Sequence, residues 1–165
     1  MDSCDSNNSL KVFIKGSYGL LLSLGIVFLL LLFRINSYKY STDTSTMFDI
    51  FYSILSNHTT AIQGRNHFSY HFSPLLILIS PLYFLGPTGM IFVWKFFCYG
   101  LFLIILWSVL TNENKLSNLH KSLFILLVTL HPTFISNLIS PDIWDSDLTL
   151  PFLGLSILFL SQNKY

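Results

Sequence analysis

Long apolar runs alternate with short polar breaks along this chain, and the run lengths define the expected architecture. The first run covers residues 12–33, with no charge between Gly16 and Phe33, close to the roughly 20 residues that a bilayer core requires. Residues 34–72 are mostly polar, but Met47, Phe48, Phe51, Ile54 and Leu55 fall at helical spacing within them. That stripe predicts a short amphipathic helix on a membrane surface, with Asp43, Thr44 or Ser45 capping its start. Residues 74–85 (PLLILISPLYFL) are apolar but short, and Pro81 interrupts them. Such a segment suits an interfacial or re-entrant helix better than a span. After GPTG, residues 90–110 are long enough to cross, with Lys95 as their only charge. Residues 122–139 cross again with a kink expected near Pro132, and residues 148–161 form a last apolar helix. The pattern therefore predicts an all-α, polytopic membrane protein, one transmembrane domain over residues 1–165. It would have about four spans of bilayer length, and residues 34–89 would form an outer loop carrying the amphipathic and interfacial helices.

Composition strengthens this reading. Charged residues are only 10% of the chain and apolar residues 52%, with aromatics at 16% and a mean hydropathy of +0.61. A soluble domain of this length leaves too much surface in water to hide that much apolar area. A net charge of +1, with no cluster of Lys or Arg, excludes a basic nucleic-acid binder. Cys4 lies in the polar N-terminal stretch and Cys98 inside an apolar run, so they are not expected to bridge. The first apolar run is not followed by a small-x-small cleavage site but by Arg34, Ile35 and Asn36, which predicts an uncleaved anchor.

Orientation follows from the placement of Lys and Arg. If residues 74–85 do not span, Lys11, Lys15, Lys115, Lys121 and Lys164 share one side, against Arg34, Lys39 and Arg65 on the other. The excess puts the N-terminus in the cytoplasm, in a plasma membrane. If residues 74–85 do span, Lys115 and Lys121 change sides and the bias reverses.

Candidate chemistry gathers on the outer side. Asp43 and Asp49 come from one loop, and Asp142, Asp145 and Asp147 from another. Neighbouring carboxylates at a membrane surface can bind a divalent cation or take a proton from a hydroxyl. The plainer alternative is a helix cap at Asp43 and solvated loop residues elsewhere. His67 and His71 stand in an aromatic setting where they can ligate metal or contact phosphate, although no third ligand is near in sequence and aromatic interface anchors look the same. Lys95 can meet an anionic lipid headgroup or snorkel to the surface. His131-Pro132 reads as a kink, and Asn57-His58-Thr59 fits an N-glycosylation sequon.

The order of these features resembles a family. Asp43 precedes an amphipathic segment. His71-Phe72-Ser73-Pro74-Leu75-Leu76 then leads into Pro81-Leu82-Tyr83, a proline turn and a long span. A helix with Pro132, the acidic segment Trp144-Asp145-Ser146-Asp147 and Leu150-Pro151 follow. Over residues 38–160 this is similar to the N-terminal part of a bacterial polytopic family of unknown function that carries an HFSP motif. That family in turn distantly resembles GT-C glycosyltransferases, which use polyprenyl-phosphate sugars. Thr44 to Met47 depart from the family's loop pattern, and Trp144 to Asp147 stand where it has Phe-His-Pro-Glu. The resemblance implies Asp43 as catalytic base or metal-linked orienter, with Asp145 and Asp147 assisting. His71 and Lys95 would lie near the donor phosphate, and Asp49 joins them on the substrate side. It also implies lipid-linked sugar and membrane lipids as partners. GT-C enzymes use a larger core than about four spans, so the expectation is an incomplete unit that associates with itself or a complementary membrane chain. A small structural or transport-associated membrane protein without catalysis is the alternative.

Overall fold

The computed structural model describes residues 17–35, 49–50, 52, 55–56, 61–62, 65–66, 79–112, 116–140 and 145–162. Helices α1 (Tyr18–Ile35), α2 (Gly86–Asn112), α3 (Asn118–Thr129), α4 (Pro132–Leu138) and α5 (Thr149–Gln162) make up most of them. Short 3-10 turns, Ser80–Leu85 and Asp145–Leu148, lead into α2 and α5. Ala61–Ile62 (β1) and Arg65–Asn66 (β2) pair antiparallel, Ala61 with Asn66 and Ile62 with Arg65. A ladder of two residues per strand leaves the molecule in the all-α class.

Among the described residues, two helices are long and apolar enough to cross a membrane: α1, and the continuous stretch Ser80–Asn112 that contains α2. The bent pair α3 and α4 makes a third crossing if counted as one span. The fourth expected span is α5, whose 14 residues rise about 21 Å at 1.5 Å per residue, less than the ~30 Å hydrocarbon thickness. The expected count of four is therefore reached only by adding one bent and one short helix.

α2 is the central element. Over the most apolar stretch of each, 56% of the Ser80–Asn112 helix is buried against 28% of α1, so α1 gives most of its side chains to the exterior. Its buried positions Gly19, Ser23, Val27 and Leu31 recur every fourth residue, one narrow stripe of a helical surface. Gly19 meets Ser122 of α3 so closely that an added Cβ would collide with it, and a small residue there is what lets the two backbones approach. Further along, Phe28 packs edge-on against Phe92 and Phe96 at 5.5 and 6.0 Å. Leu24 lies beside Gly100, so α1 and α2 are antiparallel. On the other side Gly154 lets α5 settle onto Phe102 and Ile105.

The α3–α4 bend is 56° and has a local cause. A residue before proline is pushed out of the helical region, and His131 is extended at φ −61°, ψ 131°. Its Nδ1 accepts the Thr133 N–H at 3.3 Å, which caps α4 while Pro132 opens it.

The start of α2 lies four residues before the expected Met90. Pro87 belongs in a first helical turn, where its missing N–H costs nothing. Gly86 joins the 3-10 turn to the helix at φ 72°, a conformation that side-chain-bearing residues avoid.

Of the amphipathic segment, residues 49, 50, 52, 55 and 56 are described, and all are helical. Ser56 Oγ donates to the Tyr52 carbonyl at 2.7 Å, the i to i−4 contact of a helix. Ile50, outside the predicted stripe, is the residue fully buried in the main apolar cluster. Tyr52 packs against Tyr83 at 6.0 Å, which ties the segment to the approach to α2.

Candidate functional site

The two ends of the bundle differ. At one, Gly19 meets Ser122. At the other, the Arg34 Nε donates to the Ile139 carbonyl at 2.8 Å, joining the last turn of α1 to the end of α4. The final carbonyls of a helix have no partners within it and carry partial negative charge. α4 receives a second cation there. Lys95 reaches across from α2, and its Nζ donates to the Asn137 carbonyl at 2.7 Å.

Lys95 does not snorkel: it is fully buried. Its ammonium stands 3.7 Å from Asp147 Oδ1, where the two side chains are 1% and 6% exposed, and 5.9 Å from the centre of the Tyr99 ring. Asp147 belongs to the Asp145–Leu148 turn directly before α5, so its charge also faces the positive end of that helix. Tyr99 lines the same cavity as Asp147, while the Tyr99 ring packs edge-on against Phe134 of α4 at 5.0 Å. A buried charge is tolerated only when paired and hydrogen-bonded. Here an ammonium, a carboxylate, a phenol ring and a helix-end carbonyl provide for one another.

These groups line a cavity of about 260 Å³, shared by Lys95, Tyr99, Asn137, Ser140, Asp147 and Thr149. It meets a second, apolar groove through Tyr99, Asn137 and Leu150.

Of the residues singled out in the sequence, the structure brings Lys95 and Asp147 together. Asp145 opens the same turn. Asp49 is exposed on its helical segment and does not line the cavity. Asp43, His67, His71, Asp142 and the Asn57-His58-Thr59 sequon lie outside the described residues. Among the described residues, no group of three His, Cys, Asp or Glu side chains is placed to hold a metal ion, and Cys98 is a buried free thiol. Tyr99, Ser140 and Thr149 were not anticipated. Tyr99 stands four residues after Lys95, hence on the same helical face, a signal the sequence did contain. The Asn137 contribution is a backbone carbonyl exposed by the end of α4, which no side-chain pattern announces.

The described part of the molecule defines a class: an all-helical bundle in which two or three helices can cross a membrane, with a buried ion pair near one end. No family model matches the chain, and no curated protein or solved structure does either.

Proposed function

We propose that this is a polytopic protein of the bacterial inner membrane, spanning about four times with its N-terminus in the cytoplasm. On this reading it is the N-terminal part of a GT-C-like glycosyltransferase acting on a lipid-linked sugar, incomplete alone and completed by self-association or a complementary membrane chain. The observation that carries the proposal is the buried Lys95–Asp147 pair lining a polar cavity close to the end of the bundle. An ionisable pair within apolar helices is costly, and such pairs mark binding sites more often than they add stability.

The chemistry assigns each group a part. The Lys95 ammonium attracts the donor phosphate, and Tyr99 and Thr149 offer hydroxyls to its oxygens. The Asp147 carboxylate takes the proton of an acceptor hydroxyl as that oxygen bonds to the sugar's anomeric carbon. The bond from that carbon to the phosphate oxygen breaks, and the polyprenyl phosphate leaves with the electron pair. Asp43 and Asp145 assist as orienting carboxylates, through a divalent cation if one is bound, and His71 and Asp49 contact the substrate. The 260 Å³ cavity has room for a phosphate-sized group.

A second reading rests on the 2.7 Å bond from Lys95 to the Asn137 carbonyl. There the cation clamps α2, α4 and α5 together in a structural protein without catalysis.

The full chain in nanodiscs, offered a panel of polyprenyl-phosphate sugars, separates the two. Binding of a panel member by a self-associated chain, lost in Asp147→Asn, supports the incomplete transferase. A monodisperse protein that neither binds nor turns over any of the panel supports the clamp.

A further inference from the structure

The outward side of the bent pair α3–α4 carries two kinds of exposed residue, and only one of them suits lipid. Along α3 and its C-cap, Leu119, Leu123, Leu127 and Leu130 are between 49% and 70% exposed. Their spacing puts them on one helical face, which acyl chains can cover. Directly after them His131, Thr133, Ser136 and Asn137 are exposed as well. His131 stands about 20 Å along from Asn118 at 1.5 Å per residue. It therefore lies inside a hydrocarbon layer of ~30 Å when α3 and α4 cross as one span. Polar side chains are costly there, and in membrane helices His, Ser, Thr and Asn hydrogen-bond across to a neighbouring helix. Lipid chains offer them no partner.

The bend fixes the sense of that hydrogen bonding. His131 Nδ1 accepts the Thr133 N–H at 3.3 Å, so in the neutral ring Nε2 carries the proton and is a donor. The Thr133 hydroxyl has no partner among the described residues and can accept. A donor and an acceptor thus stand two residues apart in one exposed patch.

We propose that a second copy of this chain docks on this patch, the two copies related by a two-fold axis along the membrane normal. The leucines pack against their counterparts, and His131 Nε2 of each copy donates to the Thr133 hydroxyl of the other. A two-fold contact needs a surface that complements itself. The axis sets equal depths opposite each other, so the donor and the acceptor are both satisfied, twice. A chain of another sequence would need its own donor and acceptor at this depth, whereas a second copy brings them. The pairing deepens the self-association in the function proposed above and rests on that part of it.

The test uses the purified full chain, in a Cys4→Ser background, in phosphatidylcholine vesicles. Leu127→Cys should give a disulfide-linked dimer on mild oxidation, and Leu29→Cys, on the exposed face of α1, should not. Cys98 is buried and stays silent. Energy transfer between labelled copies, measured as lipid dilutes the protein, gives the strength of association. Thr133→Val removes the acceptor but keeps the N–H that caps α4. It should weaken association about seven-fold, the equivalent of ~1.2 kcal/mol for two hydrogen bonds between helices. Thr133→Ser, which keeps the hydroxyl, should associate like the unaltered chain. Disulfides at Leu29→Cys and none at Leu127→Cys would overturn this face and spare self-association. Full-strength association of Thr133→Val would overturn the hydrogen-bonded pairing. A monomer at every dilution would overturn the second copy as occupant. If that monomer still bound a polyprenyl-phosphate sugar through Asp147, the transferase reading would stand, completed by another chain. A dimer paired as described that bound no such sugar would uphold the pairing and count against the transferase.

Discussion

Lys95 and Asp147 form a buried ion pair at 3.7 Å, and removing either partner should show it. Lys95→Met leaves a carboxylate buried without its cation, and Asp147→Leu leaves the converse. Losing one partner of a buried pair costs about 3–5 kcal/mol, whereas replacing both by apolar residues is close to neutral. The expected order of unfolding midpoints in mild detergent is therefore wild type, then the double variant Lys95→Met/Asp147→Leu close behind, with both single variants well below. A double variant as unstable as either single would mean that the hydrogen bond to Asn137, not the charge pair, stabilises the site. Both residues stood out in the sequence, one as a lone charge in an apolar run and one as part of an acidic loop. Their pairing did not, because it depends on where α4 ends and on the turn that presents Asp147 to α2. Ile50 was missed for a related reason. Helical spacing alone does not draw Ile50 into the stripe of residues 47–55, whereas Tyr52, two positions on, packs against Tyr83 on the approach to α2.

Helix lengths were read more accurately than helix shapes. Runs of apolar residues place α5 to within one position and α2 to within four, since the length of an uncharged stretch is a direct consequence of what must cover it; α1 begins at Tyr18, six residues after the expected start at residue 12. Proline chemistry placed the break near Pro132 as well, but not its angle. The angle is argued from two things: the extended His131 forced by the following proline, and the packing of Phe134 against Tyr99. Spin labels at Leu119 and Ser136, both exposed, can separate these causes. If the proline sets the bend, His131→Ala/Pro132→Ala should straighten it. Removing the 56° bend should then lengthen the label separation by roughly 3 Å, from a rise of 1.5 Å per residue. No change in distance would assign the bend to the aromatic contact instead.

The bundle as a whole has two distinguishable ends, and this yields a prediction in two separable parts. Geometry supplies the first. The end of α1 is tied to the end of α4 through Arg34 and Ile139, and the start of α1 is pressed against the start of α3 at Gly19 and Ser122. Ser56, in the segment whose Tyr52 packs on the approach to α2, therefore belongs to the opposite end from Ser117, the N-cap of α3. If the apolar helices lie across a bilayer, single cysteines at these two positions must react from opposite faces. Charge supplies the second part. The four-span reading of the sequence assigns Lys11, Lys15, Lys115, Lys121 and Lys164 to the side of Ser117, and Arg34, Lys39 and Arg65 to the other. Since Lys and Arg are retained on the cytoplasmic side, Ser117→Cys should react with an impermeant maleimide only after permeabilisation, and Ser56→Cys without it. Both substitutions belong in a Cys4→Ser background, because Cys98 is buried and should stay silent. Labelling of both positions from one side would overturn the transmembrane placement of the bundle. Labelling from opposite sides in the reverse sense would leave the bundle intact and overturn only the inference from charge. The Lys95–Asp147 cavity would then open toward the cytoplasm, where a lipid-linked sugar donor on the outer leaflet could not reach it.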